Sequence, residues 1–322
     1  MSPGAAAILG PMNPPYRLVD LGDRRVLSVE GRDYVTGYSE RVLQMLIERK
    51  GARRAPPYLS YKTARGPLFL GPLVGHLRRR GLTRLRCLEV GCSFGHMTEY
   101  LHEQPEIAAL TTFDTDAAFA AITRAKVEEL GLRKVRDVGL FTGEATRRLP
   151  WTDAAFDLVV ACGVVEHLPA RLRRAQVDEY YRVLAPGGLI AILDTPNRFF
   201  PLETHSVGLP LVQWLPPRLA WAYARACRPR KFRGETFAGF TMDGTGWRNA
   251  SLADCLPTTG WTGLEDLTEE AGYGWRFFRD TARSRTRRAL LPLFAAGCGA
   301  LRALGRPPSL CLPYLNLVFR KL

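Results

Sequence analysis

Cys87-Leu88-Glu89-Val90-Gly91-Cys92-Ser93-Phe94-Gly95 runs from a short apolar stretch, Leu85 to Val90, into a glycine turn and on into a helical segment from His96 to Glu103. Glycines at a strand-to-helix turn let the backbone come close to a ligand, and the first turn of the helix offers free N–H groups. The spacing is neither GxGxxG nor a Walker loop, which argues against a dinucleotide or phosphate site.

Four more features follow in order. Phe113-Asp114 ends a second apolar run, where a carboxylate can accept hydrogen bonds from both hydroxyls of a ribose. Gly143-Glu144-Ala145 follows a third, Val138 to Phe141. Phe156-Asp157-Leu158-Val159-Val160 opens a fourth and leads to Val165-Glu166-His167-Leu168. Val183-Leu184-Ala185-Pro186-Gly187-Gly188 turns into a fifth, Leu189 to Leu193. Helical patterns over Ala117–Leu130 and Arg171–Leu184 lie between these runs, and Trp261–Leu267 and Leu315–Phe319 are two late strand candidates. Strands alternating with helices of this length predict an α/β fold of the Rossmann-like kind, a mostly parallel seven-stranded sheet covered on both faces.

Outside this frame the chain divides into an N-terminal helical extension over 1–81, with a helix near Tyr34 to Arg49, and a domain over 82–322. That domain carries a lid-like insertion at about 197–250 and a basic and apolar helical segment at about 283–306. A further helix is expected over Ser251 to Thr259.

With 322 residues and 46% hydrophobic content the composition is globular. Seven scattered cysteines with no CxxC pair argue against a disulfide framework or a zinc site and for a cytoplasmic setting. Met1 to Pro15 lacks a basic segment before its apolar run, so it is not read as a signal peptide. The longest apolar stretch, Ala289 to Leu301, is interrupted by Pro292, Gly297 and Gly299 and is shorter than the about 20 residues of a spanning helix.

The ordered set resembles the class I S-adenosylmethionine-dependent methyltransferases, in particular their broad small-molecule subgroup, over about Leu82 to Leu267. The resemblance implies that Glu89, Gly91, Cys92, Ser93 and Gly95 form the motif holding the methionine part of S-adenosyl-L-methionine. It implies that Asp114 binds the ribose, that Glu144 faces the adenine amino group, that Trp151 of Leu149-Pro150-Trp151 lies against the adenine, and that Cys162 and Gly163 mark the strand end beside the cofactor. In this chain Ser93 stands where the family has its middle glycine. The quinone-modifying branch holds a divalent metal with Glu-x-x-Glu-His, but here Gly163 replaces the first Glu and leaves only Glu166-His167, so no metal is expected.

Because a sulfonium already makes the methyl electrophilic, the protein's task is to bind it, align a nucleophile and take up a proton. His205, in the polar and aromatic stretch Asp194 to His205 after the fifth strand, is the first candidate base, and His167 the second. His76, His96 and His102 read as solvated or helical. In the insertion, Trp214, Trp221, Tyr223, Phe232, Phe237, Phe240 and Trp247 would line or cover an acceptor pocket or make a small core of their own.

Lys and Arg number 45 against 31 Asp and Glu, so the net charge is 45 − 31 = +14. Arg-rich clusters, above all Arg283 to Arg288 directly before the apolar run, suit a solvated face or peripheral contact with an anionic membrane. Asn13-Pro14-Pro15-Tyr16 resembles a motif of amino-methyltransferases acting on DNA and some RNA or protein targets. It lies about 75 residues before the first motif, which makes it a coincidence and argues against nucleic acid as partner. The expected activity is methylation of a hydroxyl on a small molecule such as a natural product, sugar or lipid-linked glycan. A nucleic-acid methyltransferase and a non-catalytic binding module are the alternatives. The sequence does not speak to oligomeric state.

Overall fold

The computed structural model describes residues 16–22 and 24–322; Met1 to Pro15, including most of the Asn-Pro-Pro-Tyr tetrapeptide, lies outside the described residues. The described chain opens not on a helix but on an antiparallel meander, β1 (Tyr16–Asp20), β2 (Arg25–Val29) and β3 (Arg32–Thr36). Its second turn is made by Glu30 and Gly31, at φ 51° and 75°, the doubly left-handed pair that a two-residue hairpin of the favoured twist requires. Tyr34 to Thr36 therefore belong to a strand. The helix expected there begins at Glu40, where the Ser39 side chain accepts the Val42 N–H, and ends at Lys50. The extension is thus a small sheet followed by helices.

The central sheet contains β4 (Leu85–Val90), β5 (Ile107–Asp114), β6 (Val135–Leu140), β7 (Phe156–Cys162), β8 (Leu184–Pro196), β9 (Leu264–Asp266) and β10 (Tyr314–Lys321), in the order β6-β5-β4-β7-β8-β10-β9. The first five run parallel, and β10 is antiparallel to both β8 and β9. Successive residues point to opposite faces of a strand, and both faces here are apolar. Leu88, Val159, Ala161, Ile190, Ile192 and Leu317 enter one core, whereas Cys87, Leu158, Val160, Ala191, Leu193 and Val318 enter the other. Helices His96–Glu103, Ala117–Glu129 and Ala170–Val183 connect the parallel strands.

From β4 the chain first adds strands on one side and then, with β7, on the other. The order therefore reverses between β4 and β7, and a crevice opens at their carboxyl ends, the place where open α/β sheets bind ligands.

The insertion after β8 folds on itself. Trp221, Phe232, Phe240 and Trp247 meet in successive ring contacts of 4.9–5.9 Å between centroids, around Val207, Val212, Ala220 and Ala224. These aromatics make a satellite core. Ser251 to Thr259 forms only a single turn, Leu252–Cys255, closed by a reciprocal Ser251–Asp254 cap; Pro257 removes the next donor a longer helix would need. The basic segment forms helices Arg285–Ala289 and Leu291–Ala303, which leave Leu293 69% exposed. Among the described residues no helix is long and apolar enough to cross a membrane.

Candidate functional site

The crevice is built first by the turn after β4. Gly91, Ser93 and Gly95 all adopt left-handed backbone, at φ 75°, 47° and 73°. A Cβ on Gly91 would lie 2.8 Å from Val164 Cγ2, so only glycine allows the turn to close against the end of β7. Beneath the turn Glu89 is 3% exposed and accepts the Thr98 hydroxyl at 2.6 Å; burial pushes its carboxyl up to about 7. Glu89 thus ties the strand to the helix that follows. Cys92 points its side chain into the core beside Ala120 and Val138 and spends its N–H on the Phe113 carbonyl, so it shapes the turn from within.

Asp114, the last residue of β5, accepts the Ser93 N–H at 2.7 Å on one oxygen and the Asp116 N–H at 2.9 Å on the other. A carboxylate oxygen has two lone pairs, so each retains one acceptor position, which is what a pair of ribose hydroxyls would use. Burial raises the Asp114 carboxyl above its ordinary value. The turn and the Asp114 carboxylate fit the methionine and ribose parts of S-adenosylmethionine.

Trp151 packs against Phe113, Phe141 and Phe156 at centroid distances of 5.3–5.9 Å, an aromatic wall on the β5–β6 side. Glu144 does not join it. Its carboxylate is exposed and pairs with Arg171 at 2.7 Å and Arg147 at 2.5 Å; the side chain placed opposite the adenine by sequence is satisfied by arginines from its own turn and from helix Ala170–Val183.

The second half of the site lies at the ends of β7 and β8. Gly163, at φ 66°, follows Cys162 and donates its N–H to the Leu193 carbonyl at 2.8 Å. Its open side faces two carboxylates, since a Cβ there would lie 3.8 Å from Glu166 Oε1 and 4.0 Å from Asp194 Oδ2. Asp194 is paired with Arg65, a residue of the extension, and burial pushes its carboxyl up to about 6. Burial likewise pushes Glu166 up to about 8.

His167 and His205, the two candidate bases, come together. Their Nε2 atoms are 3.1 Å apart and their rings are inclined at 61° with 4.9 Å between centroids. His167 Nδ1 donates to the Gly244 carbonyl at 2.6 Å, which leaves its Nε2 as a bare lone pair. Burial lowers His167, and burial together with the neighbouring His167 pushes His205 down to about 4, so both rings are neutral at physiological pH. Gly246, at φ 71°, closes over the pair, where a Cβ would lie 3.1 Å from His205 Cδ2 and 3.2 Å from His167 Nδ1. Of the remaining histidines, His76 and His96 are helical as expected but buried rather than solvated, at 1% and 8% exposed; their helices pack those turns inward.

Glu203 lies in the polar and aromatic stretch Asp194 to His205. Fully buried, it accepts four backbone N–H groups, those of His205, Ser206, Val207 and Gly208, at 2.6–2.8 Å. Asp194 also lines a cavity of about 300 Å³, with Phe277, Phe278 and Tyr314 as aromatic walls and Arg283, Arg287 and Asn316 as polar ones.

Residues 88–192 match the family model of a methyltransferase domain. An uncharacterized protein of Haemophilus influenzae is 29% identical over 144 residues, 38% of this chain and 56% of its own, so the match spans little more than half of that relative. Among solved structures, a SAM-dependent methyltransferase from Aquifex aeolicus is 22% identical, covering 49% of this chain and 80% of its own with a TM-score of 0.35. The [4+2]-cyclase SpnF is 19% identical, covering 77% and 80% with a TM-score of 0.39. With the strand order and the crevice described above, residues 88–192 carry a methyltransferase domain of the class I kind, for which S-adenosylmethionine is the cofactor.

Proposed function

We propose that this protein transfers the methyl group of S-adenosylmethionine to a hydroxyl of a small molecule. The observation that carries the reading is the pair of neutral imidazoles, His167 and His205, 3.1 Å apart at the end of β7. When bound, the cofactor supplies an electrophilic methyl on a sulfonium. The turn Gly91–Gly95 and Asp114 would orient the cofactor in the crevice, and the imidazole pair would draw the proton from the acceptor as the methyl arrives. Gly163 leaves room for the acceptor's oxygen. The cavity beside Asp194 supports a small acceptor, since its volume of about 300 Å³ is at the lower end for ligand pockets. Arg283 and Arg287 on its wall favour an acceptor bearing an anionic group, as a lipid-linked glycan does.

Calorimetric titration with S-adenosylmethionine and S-adenosylhomocysteine tests the first half. Micromolar binding to the wild type is expected, weakened at least about tenfold in Asp114→Ala, which loses the ribose acceptor. Labelled-methyl transfer to a panel of hydroxyl compounds tests the second, with a rate loss of at least about a hundredfold expected in His167→Ala. A wild type that binds neither ligand would overturn the proposal.

A further inference from the structure

Glu166 is the group that neither the fold nor a simple proton relay accounts for. Its side chain is 0% exposed, yet neither carboxylate oxygen has a hydrogen-bond partner among the described residues. A buried carboxyl without partners must either keep its proton or have a cation beside it. Neither neighbouring arginine bonds to its carboxyl oxygens. Arg65 pairs with Asp194, and Arg173 donates to the backbone carbonyls of Glu166, Leu168 and Asn249.

What faces Glu166 instead is the imidazole pair. Glu166 Oε1 is 3.9 Å from His167 Nε2, and one ligand atom from each of Glu166, His167 and His205 lies within 4.8 Å of the others. A hydrogen bond from His205 Nε2–H to His167 Nε2 would explain the 3.1 Å between the rings, but it would leave Glu166 unanswered. The Gly244 carbonyl on His167 Nδ1 is the outer bond by which metal-ligating histidines are commonly oriented, with the other nitrogen left bare.

We propose that Glu166, His167 and His205 hold a divalent cation of the zinc kind at the carboxyl end of β7. Two imidazoles and a carboxylate form a ligand set of catalytic zinc sites, which keep a further position open; hard cations such as magnesium prefer oxygen alone. A zinc ion at about 2.1 Å from its donors needs them roughly 3.0–3.5 Å apart. The imidazole pair already has that spacing, and a movement of about 1 Å by the Glu166 carboxylate completes it. The expectation of no metal rested on Gly163 standing where a related branch has its first glutamate. Here the missing ligand comes from the insertion, 38 residues after His167.

The role, though not the site, rests on the proposed hydroxyl methylation. With the imidazole lone pairs on the metal, the open position would take the acceptor's oxygen and ease loss of its proton to water, in place of the imidazole base proposed above. The O–C bond then forms as the S–C bond breaks, and the electron pair stays on sulfur as a neutral thioether.

The test is titration of the chelator-stripped full chain with Co²⁺, read by visible absorbance, with Zn²⁺ as competitor. Saturation at one equivalent, displacement by Zn²⁺, and affinity at least tenfold weaker in His205→Ala and Glu166→Gln are expected. Uptake that does not saturate at one equivalent, or that both variants retain, overturns the proposal. Circular dichroism identifies any variant that fails to fold; the wild-type stoichiometry then decides alone. S-adenosylmethionine titration of the same samples separates the two ideas: a chain that takes cobalt but not the cofactor keeps the metal site and loses the methyltransfer reading.

Discussion

The Glu203 carboxylate accepts the backbone N–H of His205 at 2.7 Å, the first of four such bonds by which one buried side chain shapes the loop 205–208. His205 is therefore positioned by a residue two places before it. Glu203→Gln keeps the volume but replaces one acceptor oxygen with a donor, so N–H groups that faced that oxygen lose their partner, a cost of about 1–3 kcal/mol for each one left buried. A lowered Tm is expected, together with a fall of at least about tenfold in methyl-transfer rate and an unchanged cofactor Kd. A variant weakened in cofactor binding but not in rate would show that Glu203 does not serve His205.

The contrast between Glu203 and Leu85–Val90 explains what the sequence made legible. The strand Leu85–Val90 and helix His96–Glu103 carry local signals, an apolar run, a glycine turn and a polar helix face, and both were assigned with the observed bounds. The meeting of His167 and His205 depends on how the insertion folds around Phe240 and Trp247, and no short spacing encodes that. The Glu144–Arg171 ion pair is hidden from the sequence for the same reason, since Arg171 is supplied by a helix 27 residues away. The opening meander escaped because its strands are five residues long and only partly buried, although the Glu30-Gly31 turn between β-forming residues was a usable signal.

Ser93 stands in left-handed backbone at φ 47°, a conformation that costs a residue with a Cβ roughly 1–2 kcal/mol relative to its preferred one. Ser93→Gly removes that strain but also loosens the unfolded chain, which offsets part of the gain. The expected outcome is a folded protein at least as stable as the wild type that binds S-adenosylmethionine at least as tightly. Loss of binding in this variant would mean that the serine hydroxyl itself contacts the cofactor.

Glu89 makes stability depend on pH. In the folded protein burial holds its carboxyl up to about 7, against 4.5 when exposed. Because the folded state keeps the proton longer, the stabilisation from this group is present below about pH 4.5 and lost as pH rises through about 7. The difference is on the order of 3 kcal/mol. Glu89→Gln, which can still accept the Thr98 hydroxyl, should melt above the wild type at pH 8 and close to it at pH 4.5. An equal gap at both pH values would exclude titration of Glu89 as its source.

Lys126 fastens the extension to the domain. It is 1% exposed, ion-paired with Glu99, donates to the Phe94 carbonyl at 2.9 Å, and sits 4.2 Å from the centre of the Tyr38 ring, whose hydroxyl in turn donates to Glu99 at 2.9 Å. Burial lowers the Lys126 ammonium to about 8, so it is still charged at neutral pH with Glu99 beside it. Lys126→Met leaves Glu99 without its closest cation and should cost about 3–5 kcal/mol in chemical denaturation. Glu99→Gln in the same chain removes the stranded charge, so the double variant should be more stable than Lys126→Met alone, and the two substitutions should fail to add by more than about 1 kcal/mol. Strict additivity would mean that the two side chains are independent.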